Sequence, residues 1–406
     1  MIAKPVRAKR IPTASFALGS LTPGRVAEPQ DGAEAAAILR AASDAGEAVV
    51  AFGGGTLQSA ANAPARYDIA LSTKRLNALH EYDPRELTAG VGGGMTVGEL
   101  NALLARNHQF LPLDAPLAAQ ATIGGTLAAG WAGPRRAAYG RPRDLLIGAT
   151  VALADGTLAK TGGMVVKNVT GYDMGKLYVG SHGTLGVIVR ANFKVLPAPA
   201  VRRMAIAPFD DELRVRAIAH ASALSIEPAA LLIVDGFHEV AFAGRPRLFA
   251  LLEGSDQVVE RATRELRSAL GAAGIAETRL LDGDAAASAY ASILDAYATA
   301  TADTSVTFVA RGLPSEAVTR AQRVRDALGR VDTVADLRTG DVIVRVREGF
   351  DTVRAVLGRA VVLSAGPAAG VDAWGEVPAA LATMRALKAQ FDPRGVLAPG
   401  RFVGGI

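Results

Sequence analysis

The chain has 406 residues, half of them hydrophobic and a fifth charged, which is enough for two or three compact domains with real cores and argues against disorder. It has no cysteine, which excludes disulfides, thiolate nucleophiles, iron–sulfur ligation by this chain and most structural zinc sites, so redox work requires a bound organic cofactor. The net charge of +5 is small and dispersed and excludes nucleic acid as the expected partner. No apolar run is long enough to span a bilayer and the N-terminal segment makes a poor secretory signal, so a cytoplasmic protein with at most peripheral contact at the inner face of the cell membrane is expected.

Along the chain, the alanine-rich run from Glu34 to Ala45 reads as a helix ending at Gly46, followed by a short buried strand, EAVVAF. That strand runs into Gly53, Gly54, Gly55 and Thr56, whose freed amides form a plausible anion cradle or a plain turn. Tyr67 to Leu71 reads as another strand. The later GVGGGM lacks the third glycine of a dinucleotide fingerprint, so it predicts no Rossmann site. The segment Pro112 to Gly133 has little periodicity and reads as a second ligand-facing loop. After it, Arg135, Arg136, Arg141 and Arg143 form the densest basic cluster, read either as a solvated loop or as a partner or anion surface. Asp144 to Leu153 reads as a strand leading through a tight turn into a hairpin.

The stretch Gly162 to Ile188 carries seven glycines, more than packed elements tolerate, and so predicts backbone held close to another segment or to a ligand. Its GYDMGKL resembles a P-loop, but the glycines are too close and Leu177 stands where a magnesium-binding hydroxyl is needed. Ser181 is no nucleophile elbow, because Val179 takes the place of the required glycine. Beyond PAPA, at 197–200, glycine becomes sparse and strands alternate with helices in a pattern of split βαβ units. A final helix from Pro378 to Phe391 and the tail FDPRGVLAPGR close the chain.

Three glycine loops in fixed order, AFGGGTL, DAPLAAQATIGGTLAAGWAG and TGYDMGKLYVGSHGTLGVI, together with the tail, resemble the PCMH-type (vanillyl-alcohol-oxidase-type) FAD-binding flavoproteins. Within that family the third loop is most similar to the FAD-binding E subunit of bacterial glycolate oxidase. The resemblance implies an α+β fold: an N-terminal extension (1–25), a two-subdomain FAD domain (26–199), an α+β cap with split βαβ units (200–377) and a C-terminal return segment (378–406). It also implies which residues meet the FAD. Ala51, Phe52, Gly53, Gly54, Gly55, Thr56 and Leu57 would wrap the pyrophosphate. Asp114, Gln120, Thr122, Ile123, Gly124, Gly125, Ala129 and Ala132 would form a second wall. His182, Gly183, Thr184, Leu185, Gly186, Val187 and, through its backbone, Ile188 would line the adenine and flavin side. Thr56 stands where covalently flavinylated relatives carry histidine, implying noncovalent FAD.

Departures bear on the reaction. His182 replaces an acidic residue, Trp131 and Ala132 replace small polar residues, and Ala398 replaces the asparagine of the closing motif. The histidine-rich base and metal motif of catalytic relatives is reduced to His220 and His238, so no metal site and no catalytic residue is assigned. Lys167, Tyr172, Asp173 and Lys176 read as loop-holding residues, and Arg311 as a lone cation able to meet a carboxylate. The resemblance implies an FAD-carrying subunit of a glycolate oxidase (glycolate dehydrogenase) complex, with a sister flavoprotein subunit holding the base and an iron–sulfur subunit accepting electrons. The alternatives are an independent FAD oxidoreductase of another small hydroxy acid or alcohol, and a non-catalytic assembly module that has kept the fold.

Overall fold

The computed structural model describes residues 11–165, 172–208, 226–240, 242, 245–300, 302 and 304–406. Lys167 and His220, and the helix expected near Asp211, fall outside them.

The first sheet is small and parallel, with Ile69–Ser72 paired on one side to Arg25–Ala27 and on the other to Val49–Phe52. The two outer strands run parallel, and the helix Gly32–Ala45 makes the crossover that joins them. Its start is fixed by Asp31, whose side chain accepts from the Glu34 amide, a cap worth about 1 kcal/mol. Its end is fixed by Gly46 in the left-handed region, φ 71°. Ala35, Leu39 and Ala42, on one helical face, are buried against Ile69 and Leu71.

The second sheet has five antiparallel strands in the order Leu79–Asp83, Thr88–Gly92, Val187–Lys194, Leu146–Ala152, Leu158–Gly162. The strand expected from Asp144 begins only at Leu146, because Pro142, fixed near helical φ, opens a one-turn helix Pro142–Leu145. Similarly, the irregular loop expected at Pro112 to Gly133 contains the helix Ile123–Ala129. Thr122 caps it by accepting from the Gly125 amide, and Gly130 ends it at φ 64°.

The third sheet, built from strands between Val201 and Ala365, has eight strands, each antiparallel to its neighbours. Its later half runs strand Val306–Ala310, helix Ala317–Leu328, strands Asp332–Asp336 and Val342–Val346, helix Phe350–Leu357, strand Ala360–Ala365. That is the split βαβ order read from the sequence. Helices Asp256–Ala272, Ala317–Leu328 and Phe350–Leu357 cover one face. The helix Gly283–Ala298, which the sequence reading passed over, covers the other with Tyr290, Ile293 and Tyr297, and Trp131 from the glycine-rich half packs into the same cluster.

The tail returns to the first sheet. Val49 donates its amide to Val396 at 2.8 Å and accepts from the Ala398 amide at 2.8 Å, so the chain's last segment continues the parallel sheet as a one-residue bridge. The closing helix spans Leu381–Phe391, shorter than the Pro378 start expected. Its Lys388 ammonium donates to the Thr184 carbonyl (2.8 Å), the Leu397 carbonyl (2.7 Å) and Asp392 (2.6 Å). Asp392, fully buried, also accepts from the Val396 and Leu397 amides. Among the described residues no helix is long and apolar enough to cross a membrane.

Candidate functional site

The three glycine loops meet each other through their backbones, and the positions of the glycines follow from those contacts. A Cβ on Gly54 would stand 1.8 Å from the Gln120 carbonyl oxygen, and one on Gly53 would stand 2.1 Å from Thr122 Oγ1. The first loop is therefore seated directly on the second. The second is seated on the third: a Cβ on Gly130 would lie 2.7 Å from Gly180 Cα, and the Gly180 and His182 amides donate to the Leu127 and Ala128 carbonyls. The GVGGGM segment serves the same purpose, since a Cβ on Gly93 would come within 2.2 Å of the Ile188 carbonyl oxygen. Its glycines admit close backbone packing and do not form a phosphate loop.

Between the loops runs a narrow cleft lined by Ala51, Gly53 to Leu57, Thr122, Gly124, Gly125, Ala129, His182, Gly183 and Gly186 to Ile188. These are most of the residues that the resemblance assigns to the cofactor. The others are placed elsewhere, for physical reasons. The Phe52 ring packs edge-on against Phe16 at 4.9 Å. Ile123 and Leu185 are core residues. The Thr184 hydroxyl donates to the Ser181 carbonyl, and Gln120 presents its carbonyl to Gly54. Ala132 lines a second cavity. Asp114 is engaged in an ion pair: its carboxylate accepts from Arg135 Nε (2.7 Å), the Arg135 amide (2.7 Å) and the Tyr290 hydroxyl (2.9 Å), which joins the loop to the cap helix. Burial alone would lower the Arg135 pKa, but the Asp114 and Glu253 carboxylates outweigh it and hold the guanidinium charged.

The sequence reading missed Arg401. It lies in the tail, is 3% exposed and lines the cleft, with Nη2 donating to the Gln58 carbonyl (2.7 Å) and side-chain oxygen (2.9 Å). Among the described residues no carboxylate is in ion-pairing reach of it. Burial without a counter-charge pulls its pKa down to about 10, partly offset by Tyr67. A buried guanidinium lacking an anion, facing a row of glycine amides, is a site built for phosphate oxygens. The clue in the sequence was the PGR of the tail, which becomes informative only once the tail is seen to return to Val49.

His182 stands at the end of the cleft. It is held at φ 51°, in the left-handed region, and its ring meets Trp374 edge-on at 4.9 Å and Phe402 at 5.9 Å. Burial, and then the Arg401 charge, depress its pKa to about 3, so the ring is neutral. Ala398, which replaces an asparagine by the resemblance, is also left-handed at φ 44°, a conformation that asparagine tolerates better than alanine.

Past His182 the cleft opens into a second cavity of about 600 Å³ between the glycine-rich half and the eight-stranded sheet. Trp131, Val309, Val361, Leu363, Trp374, Met384 and Phe402 give it apolar walls, and Arg141, Arg143, Arg311 and Arg359 stand on its lining. Arg311, which the sequence offered as an isolated cation, thus has company. His238 lines neither cavity, and Tyr172 is exposed. Asp173 and Lys176 pair with each other at 3.1 Å, the loop-holding role expected of them. Among the described residues no group of three or more His, Cys, Asp or Glu side chains is arranged to hold a metal.

A narrow glycine cleft with a buried unpaired cation, opening into a wide apolar chamber, fits an extended cofactor with a pyrophosphate in the middle and a planar ring at one end. Residues 23–176 match the FAD binding domain family, and residues 375–402 match the C-terminal domain of FAD linked oxidases. The chain is a PCMH-type FAD-binding flavoprotein. As a flavoprotein of this type it falls among FAD-linked oxidoreductases. Among its relatives, the glycolate oxidase subunit GlcD of Bacillus subtilis is 27% identical over 93% of this chain and 88% of its own length. The D-lactate dehydrogenase of Archaeoglobus fulgidus is 28% identical over 93% and 91%. The glycolate oxidase subunit GlcE of Escherichia coli is 42% identical, over 29% of this flavoprotein and 34% of its own length. The fold is that of p-cresol methylhydroxylase, TM-score 0.69 at 16% identity, covering 94% of this chain and 89% of that one.

Proposed function

We propose that this flavoprotein is the FAD-carrying subunit of a glycolate oxidase (glycolate dehydrogenase) complex, which oxidises the 2-hydroxy acid glycolate to glyoxylate. The observation that carries this reading is the continuity of the glycine cleft, with its unpaired Arg401, into an arginine-lined chamber. Noncovalent FAD supplies the hydride acceptor when bound. The boundaries 26–199, 200–377 and 378–406 are proposed as FAD domain, cap and return segment.

In this reading the amides of Gly53 to Thr56 and the Arg401 guanidinium hold the pyrophosphate, and the loop contacts at Gly54 and Gly130 keep those amides fixed. Trp131, Trp374 and Phe402 give the chamber an apolar wall. Hydroxy-acid oxidation also needs a base for the hydroxyl proton. No carboxylate lines the chamber among the described residues, and its one histidine, His182, has a pKa of about 3, too low to accept a proton near neutrality. This supports assigning the base to a sister flavoprotein subunit, with electrons leaving through an iron–sulfur subunit. The 42% identity to GlcE supports the same assignment.

A second reading, an independent FAD oxidoreductase of another small 2-hydroxy acid, is favoured by the near full-length similarity to the D-lactate dehydrogenase of A. fulgidus. Expressing the chain alone and with its partners, then recording flavin content and bleaching by glycolate, separates the two. Bleaching only in the assembled complex is expected. Full glycolate turnover by the isolated chain would sink the subunit reading, and protein that stays colourless after incubation with FAD would point to an assembly module.

A further inference from the structure

The four arginines of the chamber come from both of its walls, in two pairs. The first pair belongs to the eight-stranded sheet. Strands Val306–Ala310 and Ala360–Ala365 are antiparallel, with Ala310 opposite Ala360, so the next residues outward, Arg311 and Arg359, stand abreast at the strand ends. Val309 and Arg311 on one strand, and Arg359 and Val361 on the other, line the same chamber, as the two-residue period of a strand requires. Like charges placed opposite each other on one face are destabilising. Among the described residues no carboxylate lies within ion-pairing distance of either guanidinium, and both residues are exposed.

The second pair, Arg141 and Arg143, flanks Pro142 on the opposite wall. Among the described residues, the carboxylate in contact with this pair is that of Asp144. Its carboxylate accepts from the Arg141 amide (2.9 Å) and lies 3.9 Å from Arg143 Nε, so it offsets the pair only weakly. The pairs feel one another. Desolvation lowers the Arg311 pKa, Asp341 raises it, and the charges of Arg136, Arg141 and Arg143 lower it further. The adjacent arginines are handled differently: Arg135 is neutralised by Asp114 and Glu253, and Arg136 by Asp341 at 2.8 Å. Of this basic cluster, only the members that reach the chamber are left without close carboxylate partners.

We propose that the chamber is a binding site for a small organic dianion, one charged end held by Arg311 and Arg359 and the other by Arg141 and Arg143. A monocarboxylate such as glycolate satisfies one pair and leaves the other repelling. The guanidinium fork suits both carboxylate and phosphate, so the second charged group is one or the other. The inference does not depend on whether the flavin of this chain turns over.

The test is calorimetric titration of the FAD-loaded chain with glycolate, malate and 3-phosphoglycerate in turn, with flavin content recorded by absorbance. At least one dianion is expected to bind about tenfold more tightly than glycolate, the worth of one added charge-assisted contact. Arg359→Gln and Arg141→Gln should each remove most of that preference, and Arg359→Lys should fall between. Tight malate with weak 3-phosphoglycerate, or the reverse, identifies the second group. No preference over glycolate overturns the proposal. So does an equal loss in Arg347→Gln, an exposed arginine outside the chamber, since that would mean a diffuse field and no paired site. If the protein takes up no FAD, the flavin reading fails, yet the heats still report on the dianion.

Discussion

The cleft and the chamber adjoin at His182 but are built on opposite principles. In the cleft, the loops meet largely backbone on backbone, with the short Thr122 side chain against Gly53, and the cation lining it is buried. In the chamber, side chains do most of the lining and the arginines are exposed. A backbone-built site tolerates almost no substitution, because a methyl group cannot fit where carbonyls already meet. A side-chain-built site can change its ligand while the fold stays intact.

Substitutions can break or sharpen that contrast. The largest effect is expected for Gly54→Val, whose Cβ would fall 1.8 Å from the Gln120 carbonyl oxygen. Parting the loops should cost about 3 kcal/mol and abolish flavin retention, measured by thermal unfolding and by absorbance of the purified protein. Next is the junction. The folded pKa of His182, about 3, lies below the ordinary value of 6.5, so the unfolded chain takes up a proton that the folded chain refuses. The stability present above pH 6.5 is therefore lost as pH falls toward 3. His182→Gln should flatten the acid limb of flavin-free protein, removing about 2 kcal/mol of the loss between pH 7 and pH 4.5. Parallel acid limbs in both proteins would refute a neutral buried histidine.

Arg401→Met should weaken FAD binding roughly 30-fold, as expected for a lost charge-assisted contact, while lowering the thermal midpoint less than Gly54→Val does. Equilibrium dialysis against FAD reads the first and calorimetry the second; unchanged affinity would mean the amides alone hold the phosphates. The smallest effect belongs to the chamber. Arg143→Gln should change stability by less than about 0.5 kcal/mol, because its pairing with Asp144 is exposed and long. A larger loss would show that the chamber wall is as rigid as the cleft.

The same contrast governed what could be read from the sequence. Glycine at Gly53, Gly54 and Gly130 is demanded by contact, so it left a local mark, and the loops were legible. What the glycines touch was not: GVGGGM was dismissed as a failed fingerprint, yet Gly93 packs on the Ile188 carbonyl and helps align the third loop. The chamber was the least legible part. Its arginines come from separate stretches, and only the Ala310–Ala360 register sets Arg311 beside Arg359. The ion pair of Asp114 was not legible because its partners, Arg135 and Tyr290, are brought to it by tertiary packing. The helix Ile123–Ala129 was missed because its small, glycine-rich sequence has weak intrinsic propensity, and the Thr122 cap together with packing against the strand Val187–Lys194 decides it.

The return of the tail to Val49 also sets an order of events during synthesis. All three glycine loops are translated well before Arg401, and the outer edge of the strand Val49–Phe52 stays unpaired at Val49 until Leu397 arrives. A nascent chain stalled in the cap can hold amides in place but not the buried cation that meets the phosphates. Flavin capture is thus expected to follow translation of Arg401, and a variant that holds Arg401 away from Gln58 should retain FAD more weakly than the intact protein.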